Sequence, residues 1–178
     1  MELKKGKVKI RFQNISDAKR FYEILNNPSF NFFSAHPKSV KDEVKWLKKS
    51  VKKKKENFEH NFTILYGKNV VGGIGVKINQ HRKWIGEIGY FLDEIYWGKG
   101  ITSIAVSLLE KYCFKELKLH RIEIIMSPKN KASERVAIKN KYKKEGLMNS
   151  IVTNRDKKWG DCFMYSKINP NKKARGIK

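Results

Sequence analysis

The stretch "EIYWGKGITSIAVSLLEKYCF", residues Glu94 to Phe114, decides the fold. Gly98 and Gly100 stand between an apolar, strand-like run and a helical pattern. Ile101, Ile104, Ala105, Leu108, Leu109 and Tyr112 recur at the spacing of one helical face, which predicts a helix from about Gly100 to Phe114. Upstream, "WIGEIGYFLDE" (Trp84–Glu94) reads as a strand; downstream, "RIEIIM" (Arg121–Met126) reads as another. Strand, helix and strand in that order predict a right-handed crossover between two parallel strands. The glycine turn leaves backbone N–H groups unpaired at the positive end of the helix dipole, a site suited to phosphate. Glycine suits it because a Cβ would block close backbone approach and restrict positive φ. The plain alternative is an ordinary tight turn. Two phosphate motifs are excluded: no G-x-x-x-x-G-K-[ST] is present, and Ser103 stands where the dinucleotide fingerprint needs its third glycine.

Working outward, Val8–Gln13 alternates as a strand, and Ser16 is the expected N-cap of a helix carrying Ala18, Phe21, Tyr22 and Leu25. Pro28 and Pro37 bracket a loop holding Phe30, Phe32, Phe33 and His36. Ser39 is expected to cap a second helix with Val40, Val44, Leu47 and Val51 inward and the lysines of Lys48–Lys55 outward. "NFTILY" (Asn61–Tyr66) turns through Gly67-Lys68-Asn69 into "VVGGIGVKI" as a hairpin. A short helix covers about Lys131 to Asn140, and strands follow at Leu147–Thr153 and Cys162–Ile168. The order predicts an α/β fold: a mixed sheet of about seven strands with helices on both faces. One domain is expected over residues 1–170, with a basic disordered tail over 171–178.

The chain has 178 residues, with 40 Lys+Arg against 17 Asp+Glu, a formal charge of +23. Such an excess points to anionic partners such as nucleic acid, ribosomes or polyanionic cofactors, and says nothing of the fold. Cys113 and Cys162 are far apart and form no C-x-x-C pair, so neither a zinc site nor a disulfide framework is expected and the protein reads as cytoplasmic. No run is long or apolar enough to span a membrane, and residues Met1–Phe12 lack a signal-peptide block.

The combination Ile88-Gly89-Tyr90 with Leu92, Gly98–Ile101, Tyr112 and Phe114, then Asn130, Ser133, Arg135, Val136, Lys139 and Glu145-Gly146 resembles the GNAT acetyltransferases. It is most similar to their branch of ribosomal-protein alanine N-acetyltransferases. The resemblance covers about Val8 to Ile168. It departs from the pattern at Ile95, where Gln or Arg usually precedes the glycine turn, and at Lys141-Tyr142.

What the resemblance implies is a GNAT fold that binds acetyl-CoA between two splayed parallel strands. Phe91 and Leu92 would pair with the pantetheine arm. Trp97, Gly98, Lys99, Gly100, Ile101 and Thr102 would wrap the pyrophosphate, and Asn130 would bond the pantetheine or the loop beneath it. Lys129, Lys131, Arg135 and Lys139 either meet the 3′-phosphate or form a solvated basic helix. The reaction is direct attack of an amine on the thioester, with a backbone N–H of Gly89–Phe91 at the oxyanion. Glu87 is the side-chain base candidate, against a reading as a paired surface carboxylate. His81 and His120 are secondary candidates, since imidazole exchanges protons near neutrality. The tyrosine that many such enzymes use as acid is Ala137 here, which leaves Ser133 to protonate or orient the sulfur, or else to cap its helix. No metal is implied.

The expected acceptor is a protein N-terminal amine, with a ribosomal protein as the named case. Rival readings are a small amine (polyamine, amino-sugar or antibiotic) and a nucleic-acid or ribosome-binding module on a relic GNAT fold. The lysine-rich surface keeps nucleic-acid or ribosome contact in play, no membrane partner is expected, and either a monomer or a homodimer fits.

Overall fold

The structure is a computed structural model that describes residues 1–29, 32, 36–153 and 158–171. Its strands are β1 (Glu2–Lys5), β2 (Val8–Phe12), β3 (Glu59–Tyr66), β4 (Asn69–Ile78), β5 (Ile85–Leu92), β6 (Arg121–Met126), β7 (Lys143–Thr153) and β8 (Trp159–Ile168). The helices are α1 (Ala18–Leu25), α2 (Val40–Lys55), α3 (Ile101–Lys115) and α4 (Lys131–Lys139). Among the described residues one sheet of eight strands runs in the order β1-β2-β3-β4-β5-β6-β8-β7. β5 and β6 are parallel, as the crossover through α3 predicts, and the other neighbours are antiparallel.

Helices cover both faces. Ile101, Ala105, Leu108, Leu109 and Tyr112 of α3 are buried with Ile88 and Leu92 of β5 and Ile122 and Ile124 of β6. On the other face α1 and α2 bury Phe21, Ile24, Leu25 and Leu47 against Phe91 of β5. The alternation of β5 thus sends Leu92 and Phe91 to opposite layers. Gly73 makes room for the second: a Cβ there would lie 2.5 Å from the Phe91 ring.

Four expectations need correction. The sheet has eight strands rather than about seven, because the lysine-rich β1 is held by pairing with β2 and is largely exposed, so it carries no burial pattern. The last two strands begin earlier, at Lys143 and Trp159, since edge pairing rather than burial defines them. Ser16 is not the cap before α1. Asp17 is the N-cap of α1 and makes no side-chain capping bond; Asn14 instead caps the 3-10 turn Ile15–Asp17 that leads into it, its Oδ1 accepting from Ile15 N at 3.0 Å, while Asn14 N donates to Asp17 Oδ2 at 2.9 Å. Asp17 is itself buried and held by the Arg11 guanidinium at 2.7 Å. Finally, α2 is capped by Ser39 as expected, but Val40 and Val51 are exposed. The buried line runs through Glu43, Leu47 and Ser50, because Ser50 Oγ accepts from Asn61 Nδ2 of β3 at 3.0 Å and sets the helix rotation. The expected loop residues Phe30 and Phe33, and the tail from residue 172 onward, lie outside the described residues.

The feature that positions the site is a parting of strands. β5 and β6 pair only at Ile85↔Arg121, Gly86↔Ile122 and Glu87↔Glu123. Beyond Glu87, β5 stays with β4 as far as Leu92, whereas β6 stays with β8 as far as Met126. A wedge opens between them, since β5 and β6 pair no further than Glu87↔Glu123 among the described residues.

Candidate active site

The wedge opens into a cavity of about 510 Å³. Tyr90, Phe91 and Leu92 of β5 form one wall, Gly98 and Gly100–Ser103 a second, and the first turns of α4 a third. Two helices therefore present their N-termini to one space, where unpaired backbone N–H groups and the dipole favour an anion. Lys129, Arg135 and Lys139 also line it, and no carboxylate pairs with them among the described residues. Lys131 is partnered by Glu134 at 3.0 Å.

Gly98 and Gly100 have φ of +75° and +73°, the left-handed region that a side chain resists. Gly100 is the N-cap of α3. A Cβ built at either position meets nothing within 4 Å, so the glycines leave the turn open to the cavity as well as satisfying its backbone. Trp97 ties the turn to the strand, its Nε1 donating to Leu92 O at 2.8 Å.

Of the expected cofactor residues, Phe91, Leu92, Trp97, Gly98, Gly100, Ile101, Thr102 and Asn130 line the cavity, as does Ser133. Lys99 does not. Its Nζ folds back to Ile95 O at 2.9 Å and lies 5.1 Å from the Tyr96 ring centre. Asn130 also caps α4, its Oδ1 accepting from Ser133 N at 3.0 Å. Ser133 is accordingly not the cap. Its Oγ lies 2.7 Å from Tyr90 Oη, and burial pushes the Tyr90 phenol up to about 12 against the opposing hydrogen bond from Ser133. Tyr90 is the functional candidate that sequence reasoning passed over. Its even place beside Ile88 and Leu92 puts it on the α3 and α4 side of β5, which was the available signal.

Glu87 stands at the apex of the wedge, outside the cavity wall, beside Lys77 of β4 and Glu123 of β6. Its carboxyl remains reachable by solvent, yet loss of hydration through partial burial raises its pKa. Lys77 opposes that rise and Glu123 adds to it. Glu123 in turn accepts from Arg121 Nε at 2.6 Å. Among the described residues no group of three or more His, Cys, Asp or Glu side chains could hold a metal ion.

Residues 7–143 match the acetyltransferase (GNAT) domain family. A probable N-acetyltransferase of Bacillus subtilis, YjcK, is 44% identical over 84 residues, 47% of this chain and 46% of that protein. Four such Bacillus relatives are matched over 44% to 58% of their length, so the chain spans about half the length of these relatives. The ribosomal-protein-serine acetyltransferase of Escherichia coli is 27% identical over 144 residues, covering 81% of this chain and 76% of that one. In fold, the chain superposes on ribosomal-protein-S5-alanine acetyltransferase from Vibrio fischeri with a TM-score of 0.86 at 24% identity, over 97% of this chain and 99% of the other.

Proposed function

The chain belongs to the acetyltransferase (GNAT) domain family, and on that premise we propose that it moves an acetyl group from acetyl-CoA to a protein N-terminal amine. The observation that carries the reading is the wedge. β5 leaves β6 just past Glu87, and the gap leads directly to the N-termini of α3 and α4. The donor fits this place. Its phosphates match two helix N-termini, a glycine turn without Cβ atoms and the cations Lys129, Arg135 and Lys139, which no carboxylate pairs among the described residues. Its extended arm matches the edge of β5 beyond Glu87, from which β6 has turned away. When bound it supplies an acyl carbon activated by a thiolate leaving group.

The chain's own residues then have three tasks. Within Gly89–Phe91, the backbone N–H of Tyr90 points away from β4 into the wedge and stabilises the oxyanion. Ser133 Oγ, backed by Tyr90 Oη at 2.7 Å, donates a hydrogen bond to the sulfur as its charge grows. A thiolate with a reference pKa of about 8.5 needs such stabilisation more than full protonation. Glu87 accepts the proton from the attacking amine, directly or through water. An α-amine has a reference pKa of about 7.7–8.0 against about 10.4 for lysine, so it is the acceptor that a weak base of this kind can serve near neutrality.

The E. coli relative acts on a ribosomal protein by its name, which supports a ribosomal protein N-terminus as the acceptor here. Cys113 and Cys162 are both unpaired thiols, which supports action in the cytoplasm. The test is acetyl-CoA turnover across N-terminal peptides, a polyamine and an aminoglycoside. Peptides alone should be acetylated. Turnover confined to the small amines would replace the acceptor, and binding of CoA with no turnover on any amine would overturn the enzyme reading.

A further inference from the structure

The lysines are not spread evenly. α2 ends at Lys55 just before β3, whose Glu59 is in register with Lys77 near the end of β4. β5 then starts at Ile85, opposite Arg121, a few residues after α3 ends. The ends of α2, β4 and α3 thus meet at one pole of the sheet, the pole opposite the cavity. Lys55, Lys77, Arg82, Lys83 and Lys115 are exposed there. Of the acidic side chains nearby, Glu56 and Glu59 are taken by Lys52 at 3.8 Å and Lys53 at 2.7 Å, Glu87 stands opposite Lys77, and Glu116 follows Lys115, against five exposed cations. The positive charge is therefore in surplus.

Aromatic faces lie among these cations. Trp84, in the same turn as Arg82 and Lys83, is 52% exposed. Its carbonyl accepts from His120 N at 2.8 Å and Arg121 N at 3.1 Å, so a fixed backbone holds an indole in water. The Phe58 ring has both Lys53 and Lys77 with Nζ 5.8 Å from its centre. An exposed tryptophan does nothing for the core, and clustered lysines repel one another. A strand of nucleic acid satisfies both: its phosphates meet the cations and an unpaired base stacks on the ring. An acidic protein would use the charge and leave the indole idle.

We propose that this pole is a docking surface for single-stranded RNA. It does not rest on the acetyl-transfer reading, because none of these cations lines the cavity and the test needs no turnover.

The test is fluorescence anisotropy of a labelled oligouridylate with the full chain, titrated in salt. One variant reverses three pole cations (R82E, K83E, K115E). A control reverses three exposed lysines at the β1–β2 turn (K4E, K5E, K7E), so both lose the same net charge. Circular dichroism and melting temperature verify that each is folded. The pole variant should bind at least about tenfold more weakly, and the magnitude of its log–log salt slope should fall by about 2, since each single-strand phosphate contact contributes about 0.7. The control should lose less than about threefold at the same salt. Trp84→Ala should weaken binding by about fivefold or more with the salt slope unchanged, as loss of a stacked base requires. Equal losses in the two charge variants would overturn the proposal in favour of diffuse net charge. Full binding by Trp84→Ala, with polyglutamate competing as well as RNA, would overturn it in favour of an acidic protein partner.

Discussion

Replacing Gly100 by alanine separates backbone cost from ligand cost, provided it is compared with Gly67→Ala. Both glycines are left-handed, at φ +73° and +64°, and a Cβ at either meets no atom within 4 Å. Forcing an L-residue into that region costs about 1–2 kcal/mol. At roughly 2–4 °C per kcal/mol for a chain of this size, both variants should melt about 2–8 °C lower than the parent. They differ in place. Gly67 lies in the β3–β4 turn and is not part of the cavity lining, whereas Gly100 caps α3 at the cavity wall. Shifting that cap misaligns N–H donors that would meet phosphate, and one charge-assisted bond is worth about 1.5–3 kcal/mol. Acetyl-CoA affinity should therefore fall about 10- to 150-fold in Gly100→Ala. It should not change in Gly67→Ala. Titration calorimetry well below both melting temperatures reads the difference. Equal affinities in the two variants would refute the assignment of the α3 N-terminus to the pyrophosphate.

Ser133→Ala and Tyr90→Phe should each lower kcat about 10- to 100-fold with KM little changed, and the double variant should cost scarcely more than either, because the two hydroxyls act as a unit; additive losses in steady-state kinetics would separate their roles. Glu87→Gln should reduce turnover on an N-terminal peptide more at about pH 6.5 than at about pH 8.5, where the amine is already neutral; equal, negligible losses at both would remove Glu87 from the mechanism. Glu43, buried on α2, has its carboxyl pushed up to about 7 by burial. The folded state then binds the proton more tightly than the unfolded chain, so stability is fullest below the ordinary glutamate value and declines as pH rises through about 7. Glu43→Gln should flatten that decline and raise the melting temperature above the parent's at alkaline pH, by an amount equivalent to roughly 1–3 kcal/mol; a parallel pH profile in a thermal scan would contradict it.

The legible parts of the molecule are those whose pattern is set by burial. α3 repeats its apolar residues at helical spacing because that face is pressed on the sheet, and the β5–α3–β6 crossover follows from it. β1 and the start of β7 escape such reading, since edge strands are defined by hydrogen bonds to a neighbour rather than by an apolar side. The face of α2 was misread for a related reason: its rotation is fixed by Ser50 bonding Asn61 across to β3, and apolar counting does not register a polar contact. In the site, the glycine turn was visible because positive φ selects glycine. The Tyr90–Ser133 pair joins residues 43 apart through the docking of α4 on β5, and no local pattern announces a partner that distant. Lys99 was assigned by position in the motif, but its flexible side chain found Ile95 O instead of the cavity.

The central claim is that the wedge between β5 and β6 delivers an acetyl group to an α-amine. It is tested most directly by tandem mass spectrometry of a peptide that carries one free α-amine and one internal lysine, incubated with the protein and acetyl-CoA at neutral pH. The account predicts a gain of one acetyl group, confined to the N-terminal residue and absent when the α-amine is blocked beforehand. Acetylation of the lysine with the α-amine untouched would contradict it.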